Sequence, residues 1–108
     1  MLKKVNRLAK AKDIFATLGR GRTFFNPYFS VKFLRRSGAS RFTVVVSTKV
    51  YKSAVKRNRL KRVAREFLRR RLTELPAGDY LISAKPKIRG LPENQRLGWF
   101  SDLISKIR

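Results

Sequence analysis

The residues of this chain that could do chemistry are few, and they are mostly of one kind. Among its 108 residues there is no His for general base work and no Cys to act as a nucleophile. The six carboxylates are Asp13, Glu66, Glu74, Asp79, Glu93 and Asp102. They show neither the paired spacing of acid–base catalysis nor the spacing of a metal-ligand set, and no Gly-x-x-x-x-Gly-Lys phosphate loop occurs. Ser47, Thr48 and Ser53 stand beside basic residues, where hydroxyls bond phosphate or cap helices more readily than they attack a substrate. Asp13 is read as a helix-capping or charge-compensating acid. What remains is cationic: nine of the sixteen residues from Lys56 to Arg71 are Lys or Arg, and Glu66 is the only acid among them. The chemistry of that run is anion binding.

Helical spacing turns the run into a surface. At about 100° per residue, Leu60, Val63, Ala64, Phe67 and Leu68 fall within one arc, while Asn58, Arg62, Arg65 and Arg69 point nearly opposite with Lys61 beside them. Arg57 and Arg59 project to the flanks, where their stems cover the core edge and leave the guanidinium forks for phosphate oxygens. Like charges at i,i+4 cost each isolated pair roughly 0.2–0.5 kcal/mol, so pairing within the helix does not account for the composition. A polyanionic partner does.

The whole chain agrees, since 28 Lys plus Arg against six acids give a formal charge of +22. Each phosphate neutralised by such a surface releases condensed counterions, which makes nucleic acid the leading partner. An anionic membrane competes poorly, because the apolar stripe is needed to fold the helix into a domain and no Trp or Phe belt flanks it. Eight Phe, three Tyr and one Trp supply a core rather than a disordered tail. A chain this short buries roughly 60–70% of its unfolded surface, enough for one domain over 1–108 with 1–9 as an irregular lead-in. The absence of Cys fits a reducing compartment. No apolar run approaches a membrane span and no signal-like apolar segment precedes Lys10, so the expected location is the cytoplasm.

The elements that must position these residues follow from the hydrophobic period. Lys10 to Leu18 is expected as a short amphipathic helix, with Ile14 and Leu18 an i,i+4 pair and with Gly19 and Gly21 ending it. From Thr23 to Arg36 the period becomes two. After the turn-forming Asn26-Pro27 pair, Phe29, Val31 and Phe33 alternate with Tyr28, Ser30, Lys32 and Leu34. Ser37-Gly38-Ala39-Ser40 is expected to close a hairpin with a second long strand, Arg41 to Thr48, whose Phe42, Val44 and Val46 share a face. The basic helix runs from Ser53 or Ala54 to Leu72 with Ser53 as N-cap, and Pro76-Ala77-Gly78 breaks it. Asp79 to Lys85 alternates again. From Glu93 to Ile107, Leu97, Phe100, Leu103, Ile104 and Ile107 return to helical spacing. Helix, short strand, hairpin, long basic helix, strand and helix predict an α+β fold, a small sheet with helices packed on it.

The string Ser53-Ala54-Val55-Lys56-Arg57-Asn58-Arg59-Leu60-Lys61-Arg62-Val63-Ala64-Arg65-Glu66 resembles the arginine-rich signature of the protein subunit of bacterial ribonuclease P. Arg41-Phe42-Thr43-Val44-Val45-Val46-Ser47-Thr48-Lys49 before it and Gly78-Asp79-Tyr80-Leu81-Ile82-Ser83-Ala84-Lys85-Pro86 after it extend the resemblance. With the Asn6-Arg7-Leu8 opening and a short helix ending near Gly21, it spans nearly the whole chain. It implies a small, mostly antiparallel sheet packed with about three helices and carrying a left-handed βαβ crossover, an exception to the usual handedness. That fold is related to a domain of a ribosomal small-subunit protein. The implied activity is that of an endoribonuclease holoenzyme subunit in which catalytic RNA removes the 5′ leader of precursor tRNA. Magnesium is then held mainly by the RNA, and the protein is a cofactor without catalytic residues. The implied partners are ribonuclease P RNA and precursor tRNA with its 5′ leader, with no membrane and no obligate protein partner.

By position, the resemblance sets Lys56, Arg57, Asn58, Arg59, Lys61, Arg62, Arg65 and Arg69 against the catalytic RNA. The family's groove between first helix and sheet selects Ile14, Phe15, Leu18, Tyr28, Ser30 and Lys32 as a leader surface, where aromatic faces stack on unpaired bases and Lys32 meets the backbone. The chain departs from the family where glycine is common, with Thr43 in the strand and Val50-Tyr51-Lys52 after Lys49. Its first helix also carries fewer aromatics, with Ile14 and Leu18 at groove positions. The competing readings are a ribosomal RNA-binding structural protein with no role in tRNA processing, a free-standing nuclease, and a helix-turn-helix DNA regulator. The last lacks a neighbouring positioning helix.

Overall fold

The computed structural model describes residues 2–107; Met1 and Arg108, which the expected domain includes, lie outside the described residues. The elements are α1 (Ala11–Arg20), β1 (Arg22–Phe25), β2 (Phe29–Arg35), β3 (Arg41–Val45), α2 (Ala54–Arg69), β4 (Gly78–Ala84) and α3 (Glu93–Ser105). Short 3-10 turns lie at Lys4–Asn6 and Pro86–Gly90. The strands form one sheet in the order β1-β2-β4-β3, antiparallel at the first two pairings and parallel between β3 and β4. This is the expected α+β architecture, a mixed and mostly antiparallel sheet carrying three helices, with α2 as the connection between its two parallel strands.

The hairpin expected across Ser37-Gly38-Ala39-Ser40 does not form. β2 and β3 do run in opposite directions, but β4 lies between them, and Ile82 pairs with Val31 on one side and Val44 on the other. Burial explains the insertion. Tyr80, Leu81 and Ile82 are consecutive and all buried, the mark of a central strand covered on both faces rather than of an edge. The loop after β2 therefore spans two strand spacings, about 9.6 Å, and Gly38 turns it with a φ of 94°, where a side chain would be strained. Gly78 opens β4 at a close approach, since a Cβ there would overlap the Phe33 ring and the Leu34 carbonyl oxygen. The hairpin that does form joins β1 to β2. At its turn Asn26 Oδ1 accepts from the N–H groups of Tyr28 and Phe29 at 2.9 and 2.8 Å.

The pleat sends Phe29, Val31, Phe33, Phe42, Val44, Tyr80 and Ile82 into one core, covered by Leu60, Ala64, Phe67 and Leu68 of α2 and by Phe100, Leu103 and Ile104 of α3. The Tyr80 ring lies 4.8 Å from both Phe33 and Phe42, centroid to centroid. α1 packs on the opposite face. There Thr17 is fully buried and Asp13 meets Arg41 at 3.0 Å, so Asp13 compensates charge as its sequence setting implies.

Three local expectations are corrected. Gly19 lies inside α1, and Gly21 ends it with an extended φ of −72° rather than a left-handed one. Residues 2–9, expected as an extended or irregular lead-in, are extended at Arg7, which forms a parallel bridge to Phe42, but are ordered before it by a 3-10 turn, with Leu2 and Leu8 buried. Val63 and Leu97, assigned by period to the buried stripes, are 39% and 42% exposed. They face each other across a gap between α2 and α3 instead of the sheet.

Candidate nucleic-acid interface

Ser53 starts α2 as expected, its side-chain oxygen accepting from the Lys56 N–H at 3.3 Å. Because Leu60, Ala64, Phe67 and Leu68 fix the inner face, Asn58, Arg62, Arg65 and Arg69 stand exposed along the outer one. At the helical rise this stripe is about 16 Å long. Its flanks are less free than the wheel suggests. Arg57 is half-buried and donates from Nη1 to the carbonyl oxygens of Tyr51 and Lys52 at 2.9 and 2.8 Å. The fork expected on RNA thus fastens the loop that leads into the helix. Arg59 reaches Glu93 of α3 at 3.2 Å, an exposed pair of little net worth whose carboxylate a phosphate can replace. Lys61 is half-buried and Lys56 exposed. Hydrogen bonding from Arg69 holds the Glu66 carboxyl down at about 2, so the lone acid of the run stays ionised and masks part of Arg69.

A second surface lies on the α1 side of the sheet. The ladders set Lys32 across from Thr23 and Leu81, and Ser30 across from Phe25 and Ser83. Alternation puts these residues on the face that α1 partly covers, and Ile14 and Leu18 share the helix side toward it. Ser30, Lys32 and the half-buried Ile14 are therefore set on this side of the sheet, while Leu18 is 43% exposed at its edge. Phe15 is not set there, since it lies about 100° around α1 from Ile14 and is 70% exposed on the outer flank. Tyr28 is not either. The Asn26 turn delays the start of β2 to Phe29, so Tyr28 falls outside the alternation and its ring packs on Trp99 of α3 at 4.9 Å and 64°. One residue of this face escaped the sequence reading: Phe25 is 67% exposed, with Lys85 Nζ 4.9 Å from its ring centroid. Its parity with Thr23 in the short strand is the signal that finds it.

The ribonuclease P family model matches residues 2–108. The chain belongs to the ribonuclease P protein family. The ribonuclease P protein component of Oleidesulfovibrio alaskensis is 41% identical over 85 residues, which cover 76% of this chain and 67% of that protein. That of Pseudanabaena is 35% identical over 100 residues, covering 91% and 86%. Among solved structures, the ribonuclease P protein of Thermotoga maritima superposes with a TM-score of 0.82 at 28% identity, covering 94% of this chain and 97% of that one. The Staphylococcus aureus protein reaches 0.88 at 23% identity, covering 95% of each, a likeness of fold. Membership in the ribonuclease P family makes this chain an RNA-binding subunit of a ribonucleoprotein in tRNA processing. The catalytic complex is one of RNA and protein.

For a ribonuclease P protein, a resident metal has no ligand set here: among the described residues no three of His, Cys, Asp and Glu lie close enough to share an ion. Asp13 and Asp79 both belong to Arg41. Among the same residues no helix is long and apolar enough to cross a membrane.

Proposed function

We propose that this chain is the protein cofactor of the ribonuclease P ribozyme, promoting magnesium-dependent endonucleolytic removal of the 5′ leader from precursor tRNA in the cytoplasm. The observation that carries this is the placement of two RNA-suited surfaces on opposite sides of one sheet. The cationic stripe of α2 looks away from the core on one side, and the α1 face with Ser30 and Lys32 looks away on the other. A protein so built holds catalytic RNA and substrate leader at once without the two competing.

Asn58, Arg62, Arg65 and Arg69 meet the ribozyme, with Lys56, Arg59 and Lys61 at the flanks and Arg57 shaping the loop behind them. Guanidinium forks bond phosphate oxygens in pairs, which fixes orientation as well as affinity. On the other side Ile14, Leu18 and Phe25 offer apolar contact to leader bases, Ser30 a hydroxyl and Lys32 a charge for the backbone, with Phe15 and Tyr28 at the margins. Magnesium, held mainly by the RNA, supplies the metal chemistry. The chain binds, orients and screens the phosphates that the folded complex crowds together. The domain spans 1–108.

The test compares the affinity of the assembled complex for precursor tRNA and for mature tRNA lacking the leader. Precursor is expected to bind more tightly, and Lys32→Ala to shrink the difference by roughly 1 kcal/mol. Equal affinity of the wild-type complex for the two substrates would remove the leader role.

A further inference from the structure

The cleft between the N-terminal halves of α2 and α3 has a volume of about 400 Å³; Lys56 and Arg59 on its rim belong to the flank of the ribozyme surface, and its interior belongs to neither surface described above. Its apolar floor includes Leu60, Val63 and Leu97. Beside the floor lies Arg96, whose Nη2 donates to the Tyr51 hydroxyl oxygen at 2.6 Å and to the Ile88 carbonyl oxygen at 3.4 Å, while its Nε donates to the Leu91 carbonyl oxygen at 3.3 Å. Three acceptors therefore lock a planar guanidinium in place. Tyr51 builds the adjoining wall, with Lys56 Nζ and Arg96 Cζ each 5.8 Å from its ring centroid. Lys56, Arg59 and Arg89 ring the mouth against a single acid, Glu93.

A flat cation, an aromatic wall and an apolar floor suit a planar ring, and the cationic mouth suits an anion attached to that ring. An acidic peptide brings the anion, and a ring only where an aromatic side chain stands beside the acid. Val63 and Leu97 also line a second hollow with Arg62, Arg70 and Arg71, so the cleft runs on into the outer stripe of α2. We propose that this cleft takes one unstacked nucleotide of a bound RNA strand, its base against Arg96 and the apolar floor and its phosphate on Lys56, Arg59 and Arg89. The phosphate displaces Glu93 from Arg59. This site rests on the ribozyme-binding role proposed above and gives it a contact to a base rather than to backbone alone.

The full chain is titrated with adenosine 5′-monophosphate, with ribose 5-phosphate and with a Glu-Phe-Glu peptide, following the NMR methyl signals of Leu60, Val63 and Leu97. Only the nucleotide is expected to move all three. Glu93→Gln is expected to tighten it several-fold, and Leu97→Trp or Val63→Phe, each filling the cleft from a part-exposed position, to abolish the shifts of the methyl groups that remain. Equal shifts with ribose 5-phosphate reduce the cleft to a phosphate site, and shifts with the peptide alone assign it to an acidic protein; either overturns the proposal. In parallel, the filled variants are expected to weaken binding to ribonuclease P RNA roughly tenfold. If they bind as wild type does while Arg65→Ala weakens binding, the cleft fails and the ribozyme interface stands. If wild-type protein shows no binding to that RNA, the ribozyme interface itself fails.

Discussion

Arg41 grips Asp79 across the parallel β3–β4 ladder with two bonds, Nε to Oδ1 at 2.7 Å and Nη2 to Oδ2 at 2.6 Å. The Asp79 side chain is 4% exposed, and the third arm of the same guanidinium reaches Asp13 of α1 at 3.0 Å. One side chain thus ties the helix of the leader face to the two strands that α2 connects.

Arg41→Ala leaves Asp79 buried with Arg36 Nε, at 3.8 Å, as its remaining ion-pair partner among the described residues. Removing one partner of a buried pair costs about 3 kcal/mol, and urea denaturation is expected to show a loss of that order. Arg41→Lys keeps the charge but not the fork, and an intermediate loss is expected. A loss within experimental error for Arg41→Ala would mean that Arg36 takes over the carboxylate.

Tyr80 supplies a pH dependence. Its ring is fully buried and its hydroxyl donates to the Pro76 carbonyl oxygen; burial pushes its pKa above the ordinary 10.0. A raised folded-state value contributes stability that is complete below the unfolded value and is lost as pH rises past it. Thermal melts are expected to show a decline above pH 10.0 that Tyr80→Phe removes, at a cost of about 1 kcal/mol at neutral pH for the lost bond. The same alkaline decline in Tyr80→Phe would assign it to another group.

Glu66 works in the opposite sense. Its carboxyl, held at about 2 by Arg69, contributes above the ordinary 4.5 and ceases to as pH falls through 2. At neutral pH it competes with phosphate for Arg69. Glu66→Gln is expected to steepen the salt dependence of RNA binding by about one phosphate contact. An unchanged slope in a salt titration would show that Arg69 meets no phosphate.

How much of this was legible in the sequence depends on whether a signal was local. The outer stripe of α2, its Ser53 cap and the core positions of β2 and β3 follow from period and end chemistry alone. The place of β4 does not. A loop such as Ser37-Gly38-Ala39-Ser40 reverses the chain whether its two strands touch or leave room for a third, and the consecutive buried Tyr80-Leu81-Ile82 was the available clue. The helical wheel gave Val63 and Leu97 an apolar address without saying that a gap separates the two helices there. Arg57 and Arg96 carry side-chain bonds to backbone carbonyls several residues away, which no spacing rule encodes. Tyr28 packs on Trp99 of α3, a contact between distant segments that the strand period does not encode.

The stripe and its flank are expected to separate by mutation. Arg65→Ala should weaken binding to ribonuclease P RNA roughly tenfold and lower the salt slope by about one, with melting unchanged. Arg57→Ala should lower the melting temperature as well, since it releases the carbonyls of Tyr51 and Lys52. Identical behaviour of the two variants in both assays would return Arg57 to the RNA surface.

The most direct measurement is 5′-leader cleavage of precursor tRNA at low magnesium by the protein alone, by its cognate ribonuclease P RNA alone, and by the two reconstituted together. Cleavage at the mature 5′ end only in the reconstituted mixture is the expected result. RNA-dependent activity that the protein never raises would contradict the cofactor role, and cleavage by the protein alone would contradict a chain without catalytic groups.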